Sequence, residues 1–363
     1  MSSSARLAAD GPAPKLSIII PNYNHTRFLK ERIASIKRQT FRDYELIVLD
    51  DASSDDSLAV LQEELAGCEH QLVVNQLNSG SPCSQWLKGI ELAKGDFLWI
   101  AESDDSCPAD FLATLLPYLE EGATLAYCRS AAIDAEGADI SAATTYWPDR
   151  LDPDLWQQPF ARSNHAFCRL LLMRANCIPN ASAVVFRRDR ARACLALRPQ
   201  LAKLLFVGDW LFWFEYLAHQ DGHLHFVAQS KSWFRNHAAT TRSRGGSQAL
   251  QVRHIEEYCQ ATRWISRHPL MAGSIPWRQQ LLDDRWDWML LEYLVRSRPS
   301  AAEILLGHGL QGPLRRLLPF RLLFSREVRV RAFPVVGGWI NQRLSAWQTG
   351  RAKVLARLKR ALP

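Results

Sequence analysis

Five apolar residues in a row, 97–101 (FLWIA), run directly into three carboxylates, Glu102, Asp104 and Asp105. An apolar run with no polar face is what a central strand covered on both sides requires. Such a strand belongs in a sheet with helices on either side. Carboxylates at its carboxyl end then lie where open α/β sheets take up ligands. Packed this tightly they repel one another, and a divalent cation with oxygen ligands is the usual compensation. The plain alternative is a polar turn, with an Asp or Ser capping a helix that Pro108 helps to start. An isolated Ser-Asp-Asp favours that alternative; the rest of the chain reverses the balance.

Upstream, the same grammar repeats. Residues 16–20 (LSIII) form a buried strand broken by Pro21-Asn22-Tyr23-Asn24, and a helix follows with Leu29, Ile33 and Ile36 on one face. Residues 45–50 (ELIVLD) form a second buried strand ending in Asp50-Asp51, after which Ser53 or Ser54 is placed to cap a helix carrying Leu58, Leu61 and Leu65. A third strand covers 72–74, a helix carries Leu87 and Ile90, and 97–101 is the fourth strand. A helix with Leu112, Leu115 and Leu119 leads to a fifth strand at 125–128. Strands alternating with helices predict a mostly parallel, doubly wound α/β sheet. Parallel pairing puts the polar ends at 21–24, 50–51 and 102–105 on one edge. Residues 134–165 read as a long loop region. Strands are expected at 183–186, 223–227 and 232–235, with an aromatic helix after Val207-Gly208-Asp209. Further helices are expected at 248–266, 276–297, 301–310 and 338–361.

Two parts differ in charge. Residues 241–363 hold 21 Lys and Arg against 8 Asp and Glu, a net of +13, whereas 1–240 carry a net of −6. Such asymmetry suggests different partners for the two parts. In the tail, residues 315–324 (RRLLPFRLLF) mix cations with bulky apolar groups. That pattern suits an anionic membrane surface, and it equally suits a helical subdomain with a solvated basic face. No nucleic-acid module accompanies the basic surface, which argues against nucleic acid as the partner. No apolar run reaches the roughly 18 residues of a membrane span, and residues 1–14 read as a disordered leader without a secretory core. Eight scattered cysteines without a CxxC pair predict reduced, structural thiols rather than a zinc site. A cytoplasmic location follows, with the inner membrane face as the site of any peripheral attachment.

Five segments, in order, resemble the family 2 glycosyltransferases, inverting enzymes of the GT-A fold. They are SIIIPNYNH at 17–25, ELIVLDDASSDDS at 45–57, NSG and WLKGIELAKGDFLWIAESDD within 78–105, GDWLFWFEYL at 208–217, and WFRNH at 233–237. The resemblance covers roughly residues 15–240. It implies a GT-A domain at 15–244, with a nucleotide-binding half at 15–130 and an acceptor-binding half at 131–244, followed by a basic helical region at 245–363. It also implies a metal-dependent transfer of a sugar from a nucleotide-diphosphate donor to a glycan or lipid-linked acceptor in cell-surface polysaccharide synthesis. By that resemblance Asp51 accepts from a uracil or thymine imide, so that a UDP- or dTDP-sugar is favoured, and Pro21, Tyr23 and Asn24 wall the base. Asn78 joins the donor site, Asp104 takes the ribose position and Asp105 the metal position. His237 reaches the metal or the diphosphate, while Arg235 and Lys88 supply charge to the phosphates. Mg²⁺ or Mn²⁺ fits this set. Glu102 stands where the family usually has Asp, which leaves its role open.

Inversion by single displacement needs a base on the face opposite the leaving group. Asp209, in Gly-Asp-x-x-x-Trp, matches the family carboxylate that does this; a helix-capping Asp is the plain alternative. His25, His165, His219, His223 and His225 have no such support and read as surface or core residues. A nucleotidyltransferase would want a Gly-rich loop after the first strand, and an NAD dehydrogenase a GxGxxG there; PNYNHTRF has neither. A degenerate transferase serving as a carbohydrate-binding or assembly protein is the non-enzymatic alternative.

Overall fold

A computed structural model describes residues 13–144, 146–237 and 248–272. The chain divides into a first unit, Met1–Gly273, and a second, Ser274–Pro363, which lies outside the described residues together with the helices expected at 276–297, 301–310 and 338–361 and the basic stretch 315–324.

One eight-stranded sheet forms the first unit. Its strands are β1 (Leu16–Asn22), β2 (Tyr44–Asp50), β3 (Gln71–Val74), β4 (Phe97–Ile100), β5 (Leu125–Ile133), β6 (Phe160–Ser163), β7 (Val184–Arg187) and β8 (His223–Arg235), in the order β3-β2-β1-β4-β7-β5-β8-β6. The β1/β2, β2/β3, β1/β4 and β5/β8 pairs are parallel, while β7 runs antiparallel between β4 and β5, and β6 antiparallel on β8. All seven residues of β1 and all four of β4 are buried, the apolar runs 18–20 and 97–100 between neighbouring layers and Ser17 and Asn22 with side-chain hydrogen-bond partners.

Helices α1 (Thr26–Lys37), α2 (Ser57–Glu64), α3 (Pro82–Leu92) and α4 (Phe111–Glu120) cross between the early strands. Leu29, Ile33 and Ile36 of α1 meet Ile18, Ile20, Val48, Trp99 and the Leu112, Leu115 and Leu119 stripe of α4 in one core. Three one-turn helices, α5 (Asn164–Phe167), α6 (Arg188–Ala191) and α7 (Arg198–Leu201), precede α8 (Gly208–Ala218) and α9 (Gln248–Arg267). Helix α8 buries aromatic side chains on every face, Trp210, Phe212, Trp213, Phe214 and Tyr216 among them.

Register places the polar strand ends together. Asn22 pairs with Asp50, and Ile19 with Ile100, so the loops after β1, β2 and β4 leave the sheet side by side. This is the common edge that parallel pairing predicts.

Several boundaries differ from the sequence reading. Strands expected at 223–227 and 232–235 are one strand, β8, whose register shifts opposite Cys128, Arg129 and Ser130 absorb the polar middle. The expected loop 134–165 contains edge strand β6. β5 continues five residues past Cys128, because its later residues are only partly buried and so need no apolar signature. Neither Ser53 nor Ser54 caps α2: the helix starts after Asp56 without a side-chain cap, and the Ser53 hydroxyl is bonded to Asp50 and Asn22 instead. Helix α4 begins at Phe111, three residues after Pro108, whose carbonyl accepts from the Phe111 N–H. Helix α9, expected in the basic C-terminal region, packs on the first unit, with Tyr258 against Trp210 and the Glu257 carboxylate accepting from Leu205 N and Phe206 N. Among the described residues no helix is long and apolar enough to cross a membrane.

Candidate active site

The loops after β1 and β2 are clasped by side chains. Asn22 Nδ2 donates to Asp50 Oδ2 at 2.8 Å, and Asn24 Oδ1 accepts from Ser54 N at 2.8 Å. Asn24 (φ 56°) and Ala52 (φ 60°) both adopt the left-handed conformation. Asn tolerates it; for Ala it costs on the order of 1 kcal/mol, strain of the kind that collects at functional loops. Pro21, Tyr23 and Asn24 therefore stand in a fixed rim beside Asp51.

Asp51 is 4% exposed. Its carboxylate accepts from Asn75 Nδ2 (2.6 Å), Gln85 Nε2 (2.7 Å), Ser79 Oγ (2.7 Å) and Ser79 N (3.0 Å). It thus holds the 75–79 loop against the sheet edge. Lys88 donates to Asn75 Oδ1, one step behind Asp51. Asn78 is exposed and braces the same loop, donating to the Asp51 carbonyl and accepting from Gly80 N.

The carboxylates after β4 divide their work. Glu102 accepts from the Trp86 indole at 2.7 Å, and burial, reinforced by Asp104 beside it, pushes its pKa up to about 8. Asp105 is 2% exposed, accepts Arg235 N at 3.0 Å, and is pushed up to about 7 by burial and then by Asp104. Burial also acts on Asp104, but the His237 hydrogen bond and the charges of His25 and His237 outweigh it and hold Asp104 below the ordinary carboxylate value. The 3.1 Å contact is between His237 Nε2 and Asp104 Oδ2. One ligand atom each from His25, Asp104 and His237 lies within 4.8 Å of the others.

Three expectations change here. The carboxylate beside His237 is Asp104, not Asp105: Asp105 turns inward, where a main-chain N–H and the Ser182 hydroxyl take it up. His25 is no bystander, since the turn after Asn24 points it at Asp104. Arg235 does not reach out to phosphates. It is 1% exposed, and its guanidinium donates to the carbonyls of Asp104, Asp134 and Ala135 and to the Glu31 carboxylate, over the Phe28 ring.

Part of the compensation the carboxylates need is internal. Arg32 of α1 is fully buried; its Nε donates to the Glu102 carbonyl at 2.7 Å and its Nη2 to Ser182 Oγ at 3.0 Å, and its charge lowers the pKa of both Glu102 and Asp105. The sequence signal was there: Arg32 sits among Leu29, Ile33 and Ile36 on the apolar face of its helix.

Asp209 lies in the first turn of α8, with Oδ1 accepting Trp210 N and Oδ2 accepting Asn176 Nδ2, both at 2.7 Å. Val207, not Asp209, is the N-cap. Gly208 is required by packing, because a Cβ there would stand 2.6 Å from Cys83 Sγ of α3. Burial raises the Cys83 thiol well above its ordinary pKa, and Asp209 and Glu102 both add to this. Asp209 and Glu102 therefore flank one buried thiol on the α3/α8 side, while His25 and His237 pack with Phe28 on the α1 side.

Glu102 yields a pH prediction. A folded-state pKa of about 8 lies above the ordinary 4.5. The stability linked to this group is thus fully present below 4.5 and lost as pH rises through 8. Glu102→Gln, which keeps an acceptor for Trp86, should melt with the parent protein at pH 4.5 and above it at pH 8.5 in chelator. Equal melting temperatures at pH 8.5 would show that Glu102 ionises without penalty.

A mostly parallel mixed sheet flanked by helices, with the acidic loops after β2 and β4 side by side on one edge, is the GT-A fold. The family model for Glycosyl transferase family 2 matches residues 17–188, just under half of the chain, and this match supports a family 2 glycosyltransferase. Among curated relatives, the GalNAc(5)-diNAcBac-PP-undecaprenol beta-1,3-glucosyltransferase of Campylobacter jejuni is 36% identical over 110 residues, 30% of this chain and 36% of that protein. The abequosyltransferase RfbV of Salmonella typhimurium is 30% identical over 145 residues, 39% of this chain and 43% of that protein. The matched stretch thus spans less than half of either relative. The crystal structure of S. aureus TarS superposes with a TM-score of 0.55 at 14% identity, covering 84% of this chain and 52% of that one, a likeness of fold.

Proposed function

We propose that the protein is an inverting glycosyltransferase that moves a sugar from a UDP- or dTDP-sugar to a hydroxyl of a glycan or lipid-linked acceptor in bacterial surface polysaccharide synthesis. The observation that carries this reading is the separation of the carboxylates: Asp51 is held beside its rim by the 75–79 loop, Asp104 pairs with His237 on the α1 side, and Asp209 is held by Asn176 on the α3/α8 side. The name of one relative, a glucosyltransferase of a PP-undecaprenol-linked glycan, supports the lipid-linked acceptor. The basic tail supports placement at an anionic membrane face, where a lipid-linked acceptor would lie.

The base would enter against Pro21, Tyr23 and Asn24. An imide N–H would take the place of the exposed Ser79 hydroxyl on Asp51, leaving Asn75 and Gln85 to hold the carboxylate in position. Asp104 and His237 fit a divalent metal, because their ligand atoms stand 3.1 Å apart, the spacing of neighbouring ligands around one ion at about 2.1 Å. When bound, the metal supplies Lewis-acid stabilisation of the departing diphosphate. Asp209 takes the acceptor hydroxyl's proton as the oxygen attacks the anomeric carbon from the face opposite the diphosphate, and the sugar inverts. A carboxylate oxygen accepts more than one donor, so Asn176 and Trp210 can orient Asp209 while it receives that proton.

Titrating a panel of UDP-, dTDP- and GDP-sugars tests the donor. Uridine and thymidine donors should bind most tightly, and Asp51→Ala should weaken them about tenfold more than guanosine donors, the worth of one buried hydrogen bond to a charged group. Simple loosening of the 75–79 loop would weaken all three alike. A wild-type preference for a GDP-sugar would overturn the role of Asp51.

A further inference from the structure

His25 stands at the end of the loop whose Pro21, Tyr23 and Asn24 would wall the base, and has itself no part in the proposed transfer. We propose that His25 is a third protein ligand of the metal beside Asp104 and His237. The resulting set of two imidazoles and one carboxylate selects a first-row transition cation such as Mn²⁺ over Mg²⁺. The inference rests on the glycosyl-transfer reading for the presence of a metal at this place.

The geometry carries it in three steps. First, the three ligand atoms lie within 4.8 Å of one another. In an octahedron with ligands at about 2.1 Å, neighbours stand about 3 Å apart and opposite ligands about 4.2 Å. The set therefore closes around one ion with small side-chain movements.

Second, His25 is built in rather than swept past. Its Nδ1 is 2.8 Å from Ser103 Oγ, which is buried between Glu102 and Asp104. That contact fixes the ring's rotation and presents the other nitrogen as the ligand atom, the outer partner that metal-binding imidazoles ordinarily have. The same strand end thus supplies a ligand, Asp104, and the brace for another. On the chain side, Asn24 is locked at φ 56° by its bonds to Ser53 and Ser54, so the turn that aims His25 is set before any ion arrives. The His237 ring packs on Phe28 at 4.5 Å and meets His25 edge-on at 5.6 Å.

Third, the donor atoms decide the ion. Mg²⁺ prefers oxygen in near-ideal octahedral geometry and holds its waters, whereas imidazole nitrogen favours later divalent ions in the order Mn²⁺, Co²⁺, Zn²⁺. A site with one carboxylate and one imidazole discriminates weakly; a second imidazole moves the preference decisively away from Mg²⁺.

Titrating Mn²⁺ into the full-length protein, with and without UDP, tests this by electron paramagnetic resonance without any turnover. Mg²⁺ serves as competitor, and ¹⁴N couplings count the imidazoles on the ion. Wild type should bind Mn²⁺ at least about tenfold more tightly than Mg²⁺ and show two nitrogens. His25→Ala should lose about tenfold or more in Mn²⁺ affinity, keep its Mg²⁺ affinity within about twofold, and show one nitrogen. His25→Gln, which keeps a partner for Ser103, gives the same readout should the alanine variant fold poorly. Unchanged Mn²⁺ affinity and an unchanged nitrogen count in both variants, with loss in Asp104→Asn, would overturn the role of His25 and leave the glycosyl-transfer reading standing. Absence of Mn²⁺ binding by wild type, with or without UDP, would overturn this inference together with the metal dependence of that reading.

Discussion

Asp209→Asn should leave the protein folded and able to bind donor, yet cut turnover by roughly 10²–10⁴-fold, the usual scale of general-base loss. The substitution keeps the shape of the side chain. An Asn oxygen still accepts from the Trp210 main chain or from Asn176, contacts that orient Asp209 at 2.7 Å. What disappears is the capacity to take a proton. The melting temperature should stay within a degree or two, because Val207 and not Asp209 caps α8. Donor affinity should stay as well, because Asp209 lies on the α3/α8 side and Asp104 and His237 on the other. Asp209→Ala is the poorer probe: it strands the Asn176 amide and mixes a structural loss with the chemical one. The deciding measurement is turnover at saturating donor with the true acceptor. Near-normal turnover in Asp209→Asn would return Asp209 to a helix-start residue that only holds Asn176.

How much of this was legible in the sequence follows from what each residue contacts. The strands β1, β2 and β4 were readable because burial on both faces forces continuous apolar runs, and their parallel register then brought 21–24, 50–51 and 102–105 to one edge. β6 and the far half of β5 were not, since partly buried strands carry no such pattern. The acidic cluster was visible as a motif, but its internal division was not. Asp104 and Asp105 are neighbours whose side chains leave the chain in different directions, and only the antiparallel contact between Ser106 and Trp233 settles which one faces His237. Arg235 looked like a phosphate ligand because a cation beside a site usually is one; in fact the turn at 134–135 and Glu31 claim its donors. His25 was passed over because a lone His after a strand is common, and its partner Ser103 lies 78 residues away.

Arg32→Met should be the most damaging single change outside the catalytic groups, lowering stability by about 3–5 kcal/mol at pH 8, the range for breaking a buried charge arrangement. Arg32 is fully buried over Trp99, with its ring-to-guanidinium distance at 5.4 Å. Met has similar bulk, so little of the loss is cavity. The loss comes from removing the charged hydrogen bonds to the Glu102 carbonyl and the Ser182 hydroxyl, and from removing the cation that lowers the pKa of Asp105 and Glu102. That last part depends on pH, and its sign is fixed. Both carboxyls already have folded-state values above their ordinary ones, about 7 and about 8, and without Arg32 they rise further. Stability linked to such groups is present below pH 4 and drains away as pH rises through the folded values. The deficit of Arg32→Met should therefore be smallest near pH 4.5 and widen steadily to pH 8. At about 2–4 °C per kcal/mol for a domain of this size, the melting temperature at pH 8 should fall on the order of 10 °C. Arg32→Lys keeps the charge but loses the fork that serves Glu102 and Ser182 together, so it should recover the pH slope and only part of the stability. Melting curves of both variants in chelator across pH 4.5–8 separate the two contributions. A deficit in Arg32→Met that is the same at both ends of that range would mean that Arg32 acts through its hydrogen bonds alone, and that the carboxylates above it depend on a bound cation for their whole compensation.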